Sequence, residues 1–406
     1  MPVNLPILKE FHPVPGLEIG FANAGIKQTK RPDLVLFKLS DKANVAGIFT
    51  LNAFCAAPVQ ICKLHLAEAK PKCLIVNTGN ANAGTGEQGF QDALKVCGEV
   101  ADLLSININE VLPFSTGVIG EPLPMDKILK ALPGSKSSLA EDSWYQASMG
   151  IMTTDTQPKG YSKQFEIDGV NITISGISKG AGMIMPNMAT MLGYIATDAP
   201  IDKSLLQKWC SELGDRSFNR ITVDGDTSTN DSCMLMATGE AQIPEIVDEA
   251  SESAQLLKEE LKLAFDYLAQ AIVRDGEGAT KFVTINVMEC QNQKEALRIG
   301  YTVAHSPLVK TALFASDANW GRILAAVGRS GVKNMDLNAI QIYLDDVCIV
   351  RDGGRAKDYT EAAGAAVLKQ DELAITVKMG RGDATETIWT TDLSHDYVSI
   401  NADYRS

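Results

Sequence analysis

Side chains able to do chemistry gather in four segments that mix glycine, asparagine and hydroxyl residues. The most unusual runs Gly180-Ala-Gly-Met-Ile-Met-Pro-Asn-Met-Ala-Thr-Met-Leu-Gly-Tyr194. It is as apolar as a core strand, yet glycines and Pro186 interrupt it. Thr190 is its chemically interesting residue. A threonine hydroxyl is a weak nucleophile until a base stands beside it, and a chain-terminal α-amine is such a base. Such an amine ordinarily titrates at about pH 7.7–8.0, poised for proton transfer near neutrality. Thr190 acquires one only if the bond from Ala189 is cut. The plain alternative is a buried, strained turn.

The other three segments leave similar choices open. Val76-Asn-Thr-Gly-Asn-Ala-Asn-Ala-Gly-Thr-Gly-Glu87 follows a buried strand and precedes a helix. A glycine loop in that place either cradles an anion with converging N–H groups or simply turns the chain. It has neither the GxGxxG nor the GxxxxGK[ST] spacing of nucleotide loops. In Pro113-Phe-Ser-Thr-Gly-Val-Ile-Gly120, Thr116 and Gly117 offer hydrogen-bond donors on an expected turn, suited to a developing oxyanion. Ile221-Thr-Val-Asp-Gly-Asp-Thr-Ser-Thr-Asn-Asp231 carries Asp224, Asp226 and Asp231 among three hydroxyls. Those groups suit a hard cation or a phosphate, or else a self-bonded polar turn. The spacing is not that of an EF-hand, since no Glu closes the loop.

The elements that must position these segments read as α+β. Strand-like runs cover residues 33–39, 46–50, 73–77, 164–167, 170–177, 192–196, 233–237, 281–288, 340–350 and 373–378. Asp168-Gly169 between two alternating runs predicts a tight hairpin. Helical periodicity covers 90–104, 203–213, 253–274, 319–327 and 359–368. The wide apolar face of 253–274 predicts a helix lying on a sheet. Residues 133–142 and 243–251 read as loops, and no segment has the composition of a flexible tether.

Composition narrows the classes. Of 406 residues, 45% are hydrophobic and 21% charged, as in folded globular proteins. The net charge of −13, with no run of five Lys or Arg, argues against nucleic acid as a partner. Eight scattered cysteines without a CxxC pair read as buried reduced thiols of a cytoplasmic protein. A single CxxH pair, Cys62 and His65, does not complete a zinc site, so no metal is expected. The first ten residues lack a signal-peptide pattern, and the uncharged stretch 180–197 is too rich in glycine and polar residues for a membrane span.

Taken together, residues 77–87, 115–117, 179–193, 224–231, 277–280, 316–321 and Asn401-Ala-Asp-Tyr-Arg-Ser406 resemble the ornithine acetyltransferase (glutamate N-acetyltransferase) family of arginine biosynthesis. The likeness runs in the family's order over essentially the whole chain, and Pro186-Asn-Met-Ala-Thr-Met-Leu192 is its most specific mark. Departures are small: Asp403 where Glu is common and Ser406 where Thr is common. The resemblance implies a two-layered αββα sandwich of the family's own topology, related to N-terminal-nucleophile folds. It implies self-cleavage between Ala189 and Thr190 into an α chain, 1–189, and a β chain, 190–406, paired and dimerised as an α2β2 heterotetramer. Thr190 becomes the nucleophile, Thr116 and Gly117 the oxyanion hole, and Thr153, Lys179, Thr190, Glu277, Asn401 and Ser406 bind substrate. The implied reaction moves an acetyl group from N2-acetylornithine to glutamate. No bound cofactor is implied, and acetyl-CoA stays open as a second acetyl donor. Three other readings predict different observations. A threonine amidohydrolase or aminopeptidase would pass the acyl group to water. A phosphate-ester enzyme built on Asp224, Asp226 and Asp231 would need a metal. An amino-acid-binding protein would keep an uncut chain.

Overall fold

The structure, a computed structural model, describes residues 2–26, 30–185 and 191–403. It divides into two units, one of Pro6–Asn219 with Asp226–Ile272, the other of Met1–Leu5, Arg220–Gly225 and Val273–Ser406.

Among the described residues the first unit holds two sheets. One orders the strands Leu17–Ala22, Leu34–Leu39, Cys73–Asn80 and Val111–Val118; the other orders Asn44–Phe49, Ser232–Ala237, Leu192–Thr197, Val170–Lys179 and Lys159–Ile167. The period of two in Leu34–Leu39 shows how they stack. Val35 and Phe37 meet Tyr194, Ile177 and Met234 of the facing sheet, while Leu34 and Leu36 join a core with the helices Gly86–Leu104 and Met125–Ser137. Both faces are therefore covered, and every position but Lys38 is buried. Each such side chain contributes roughly 1.5–3 kcal/mol by leaving water. Helices also cover the outer face of the second sheet. Gly214 of Lys203–Arg216 lies against Ile48, and the Ser178 hydroxyl donates to the Leu268 carbonyl of Glu252–Arg274 at 3.1 Å. The result is the expected αββα sandwich, with the helix over 253–274 lying on a sheet.

The hairpin at Asp168-Gly169 forms as predicted. Ile167 pairs with Val170, and both turn residues take positive φ, +50° and +77°. Three expectations need correction. The Thr116-Gly117 pair lies at the end of strand Val111–Val118 rather than on a turn. The run 340–350 is not one strand but a hairpin, Gln341–Leu344 and Val347–Arg351, reversed at Asp345 with φ +45°. The expected loop 133–142 also starts late, because Pro133 lies inside Met125–Ser137. Burial of Ile128 and Leu132 holds that helix despite the missing N–H.

In the second unit, a sheet of seven strands centres on Phe282–Cys290, which pairs parallel with Glu372–Lys378 and antiparallel with Ala384–Thr391. The helices Gln293–Ala304, Pro307–Phe314, Trp320–Gly328 and Glu361–Leu368 bury Ile299, Val303, Val309 and Ile323 in its core. All eight cysteines are free thiols, and seven are buried. No helix of the described residues is long and apolar enough to cross a membrane.

Candidate active site

Strand ends build the first part of the site. Val170–Lys179 and Leu192–Thr197 run antiparallel, with Lys179 paired to Leu192. On the other side of Leu192–Thr197, Ser232–Ala237 runs parallel, with Ser232 paired to Leu192. Lys179 and Asp231 thus flank, strand by strand, the backbone that emerges from residue 190. Ala189, Thr190 and Ser406 themselves lie outside the described residues.

Lys179 is buried, and its Nζ lies 3.5 Å from the Thr153 hydroxyl. The two are brought together by Asp155. Its carboxylate accepts the Thr153 N–H at 2.8 Å, the Gly180 N–H at 2.8 Å and the Lys159 ammonium at 2.6 Å. Neither the Lys159 nor the Asp155 side chain reaches solvent. Burial alone would raise the Asp155 carboxyl, but Lys159, Lys179 and the Gly180 N–H outweigh it and hold the group well below the usual carboxylate range. Asp155 is therefore an ionised clamp that fixes Thr153 and the residue after Lys179 on one anchor. Neither it nor Lys159 stood out in the sequence, where an acid four residues before a lysine reads as an exposed pair.

Asp231 behaves in the opposite way. Its Oδ1 accepts the Met191 N–H at 3.0 Å, while Oδ2 is buried without a hydrogen-bond partner among the described residues. Burial pushes its carboxyl well above the usual range, and the Met191 N–H, the Lys179 charge and Ser228 offset only part of that.

The backbone at Thr116 and Gly117 is set by a slip in the first sheet. Val111–Val118 pairs parallel with Cys73–Asn80 through Thr78–Thr116 and Gly79–Gly117, and the register shifts at Asn80. Gly117 takes φ +136°, and a Cβ there would fall 2.2 Å from the Gly79 carbonyl carbon, so only glycine fits. Buried amides fix the strand from behind. The Ser115 hydroxyl donates to Asn77 at 2.5 Å, and Asn230 donates to the carbonyls of Ser115 at 3.0 Å and Ala81 at 2.6 Å. Asn230 is a further residue that sequence reasoning passed over inside its own motif. The glycine loop uses its polar groups on itself: Thr85 donates to the Asn82 side chain, which in turn donates to the Gly89 carbonyl. Of the two readings of that loop, the turn is the one its side chains serve.

The second unit carries Glu277 and Asn401. Asn401, on the helix His395–Ala402, donates to Glu277 Oε2 at 2.8 Å and to the Tyr397 carbonyl at 3.0 Å. Gly278, φ +68°, tucks the Glu277 turn against Ser394, whose hydroxyl donates to the Gly278 carbonyl at 2.6 Å. Asp392 accepts the N–H groups of Thr280 and Lys281. Asp224 accepts the Tyr397 hydroxyl at 3.2 Å. Among the described residues no three His, Cys, Asp or Glu side chains group as metal ligands.

Known proteins match this chain in sequence and in fold. The ArgJ family pattern matches residues 18–406. This chain belongs to the ArgJ family. The chain is 57% identical, over all 406 residues and the whole of its relative, to the arginine biosynthesis bifunctional protein ArgJ of Pseudomonas fluorescens (strain Pf0-1). It is also 57% identical, over the full length of both, to the protein of that name from Pseudomonas syringae pv. tomato (strain ATCC BAA-871 / DC3000). A crystal structure of an ArgJ protein from Bacillus halodurans is 40% identical, with a TM-score of 0.50, and covers 52% of this chain and 99% of its own.

Proposed function

We propose that this ArgJ chain transfers an acetyl group from N2-acetylornithine to glutamate through an acetyl ester on Thr190, after cutting itself between Ala189 and Thr190. The observation that carries the reading is the register of the second sheet: Lys179 pairs with Leu192, two residues beyond Thr190. A buried cation beside the nucleophile's strand is what an α-amino-acid carboxylate requires. Because both substrates carry that carboxylate, Thr153 and Lys179 can hold each in turn.

In this mechanism Thr190 Oγ attacks the acetyl carbonyl while the Thr190 α-amine takes its proton. Donors at Thr116 and Gly117 hold the oxyanion, an effect worth about 2.7–4 kcal/mol per donor. Ornithine leaves with the proton, glutamate enters, and its amine takes the acetyl group by the reverse steps. Glu277, Asn401 and Ser406 are assigned to substrate on the family resemblance. Acetyl-CoA is proposed as a second donor, in keeping with the bifunctional names of the relatives.

Topology supports two chains that stay together. Strands Lys159–Ile167, Val170–Lys179 and Asn44–Phe49 precede the cut, while Leu192–Thr197 and Ser232–Ala237 follow it, and all five share one sheet. A cut between Ala189 and Thr190 would leave that sheet whole. Residues 190–406 make 217 of 406, about 53% of the chain, close to the 52% covered by the Bacillus halodurans chain. An α2β2 assembly in the cytoplasm completes the proposal.

Steady-state kinetics tests the shared site. Initial rates with N2-acetylornithine and glutamate both varied should give parallel double-reciprocal lines. Intersecting lines would mean a ternary complex and would remove the covalent threonine step.

A further inference from the structure

Resting on the reading that Thr190 is freed by self-cutting, we propose that Asp231 is the group that exchanges protons with Thr190 during the cut. Three observations place it there. Its Oδ1 holds the Met191 N–H at 3.0 Å, one peptide unit along the chain from the Thr190 nitrogen and hydroxyl. Its own backbone is fixed between strands, since the Asp231 carbonyl accepts the Thr50 N–H at 3.0 Å and Ser232 donates to the Met191 carbonyl at 3.2 Å. Its Oδ2 is buried and has no hydrogen-bond partner among the described residues. A buried carboxyl oxygen left without a partner is costly to keep unless it serves a purpose. Lys179, at the end of the strand on the other side of Leu192–Thr197, is the charged group that acts on it, and burial pushes its carboxyl upward, toward the form that donates a proton.

The step balances. Thr190 Oγ bonds to the Ala189 carbonyl carbon and gives up its proton. As the C–N bond breaks, the Thr190 nitrogen takes a proton from Asp231, and the acyl group stays on Oγ as an ester. Asp231 recovers a proton equivalent to the one lost from Oγ and ends as it began. Water then splits the ester, returning the hydroxyl to Thr190 and leaving the Ala189 carboxylate. Nothing is oxidised or reduced.

The side chain also has a structural use in holding Met191, so the test must separate shape from proton transfer. Asn copies the neutral acid in size, accepts the Met191 N–H and presents a donor, but it does not give up a proton. Full-length wild type, Asp231→Asn, Asp231→Glu and Thr190→Ala are made by cell-free synthesis, and cutting is followed by intact mass over time from pH 5 to 9. Circular dichroism melting checks the fold. Thr190→Ala sets the uncut baseline. The proposal expects wild-type cutting to slow as pH rises and Asp231 ionises. It expects Asp231→Asn to be at least tenfold slower (on the order of the smaller effects of proton transfer) and to lose that pH dependence. Asp231→Glu, which keeps a carboxyl, should recover part of the rate. Asp231→Asn cutting at the wild-type rate with the wild-type pH profile would overturn the proposal, as would rescue by Asn but not by Glu. A wild-type chain that stays whole at every pH, matching Thr190→Ala, would instead contradict the self-cutting reading itself.

Discussion

Lys179 and Glu277 are both buried ionisable residues assigned to substrate, and they are held in different ways. Lys179 ends a ten-residue strand in the middle of a sheet, and the Asp155 clamp behind it makes three hydrogen bonds while sealed from water. Glu277 sits on a glycine turn, and the Asn401 amide that reaches it comes from an eight-residue helix whose own residues are largely exposed. The first region is stiff because its charges are dry and its backbone is paired. The second rests on single hydrogen bonds next to water, where each is worth about 0.5–1.5 kcal/mol net. In the proposed function the stiff region is the one assigned to the carboxylate, which both substrates share. The same proposal leaves the looser region the parts in which ornithine and glutamate differ.

The sharpest way to break this contrast is Asp155→Ala. It removes the carboxylate paired with the buried Lys159 ammonium, and removing one partner of a buried pair costs about 3–5 kcal/mol. Chemical denaturation should show a loss of that size, and activity should vanish. A loss below about 1 kcal/mol, the value of a surface pair, would mean the clamp is not dry. Next in size, Lys179→Met should fold and raise KM for N2-acetylornithine and glutamate together, by roughly 10–100-fold, or about 1.4–2.8 kcal/mol. A change for one substrate only would remove Lys179 from the shared carboxylate. The smallest effect is expected from Asn401→Ala. Stability should fall by about 1 kcal/mol or less, and KM should move unequally for the two substrates. Equal effects on both would erase the distinction between the regions.

Part of the candidate site was legible in the sequence. Thr116 and Gly117 sit in a segment of unusual composition, Lys179 is named by the family resemblance alone, and the hairpin at Asp168-Gly169 follows from two residues that tolerate positive φ. The geometry of Thr116 and Gly117 was not legible. A glycine at φ +136° in a slipped strand has the same local signature as a turn, because the sequence does not show the Gly79 backbone pressed against it. Asp155 and Lys159 escaped notice for a related reason. Their spacing is that of a solvated pair, and only the strands around them make it a buried one. The 340–350 run hid its reversal because Asp345-Asp346 lacks the glycine that usually announces a tight turn.

The central claim is that Thr190 carries the acetyl group on a chain that begins with it. Intact mass of the purified protein, with and without N2-acetylornithine, tests this most directly. The account predicts two chains, residues 1–189 and 190–406, with an adduct of about 42 Da that appears only on the second and disappears when glutamate is added. A single chain of 43.6 kDa, or an adduct carried by the first chain, would contradict it.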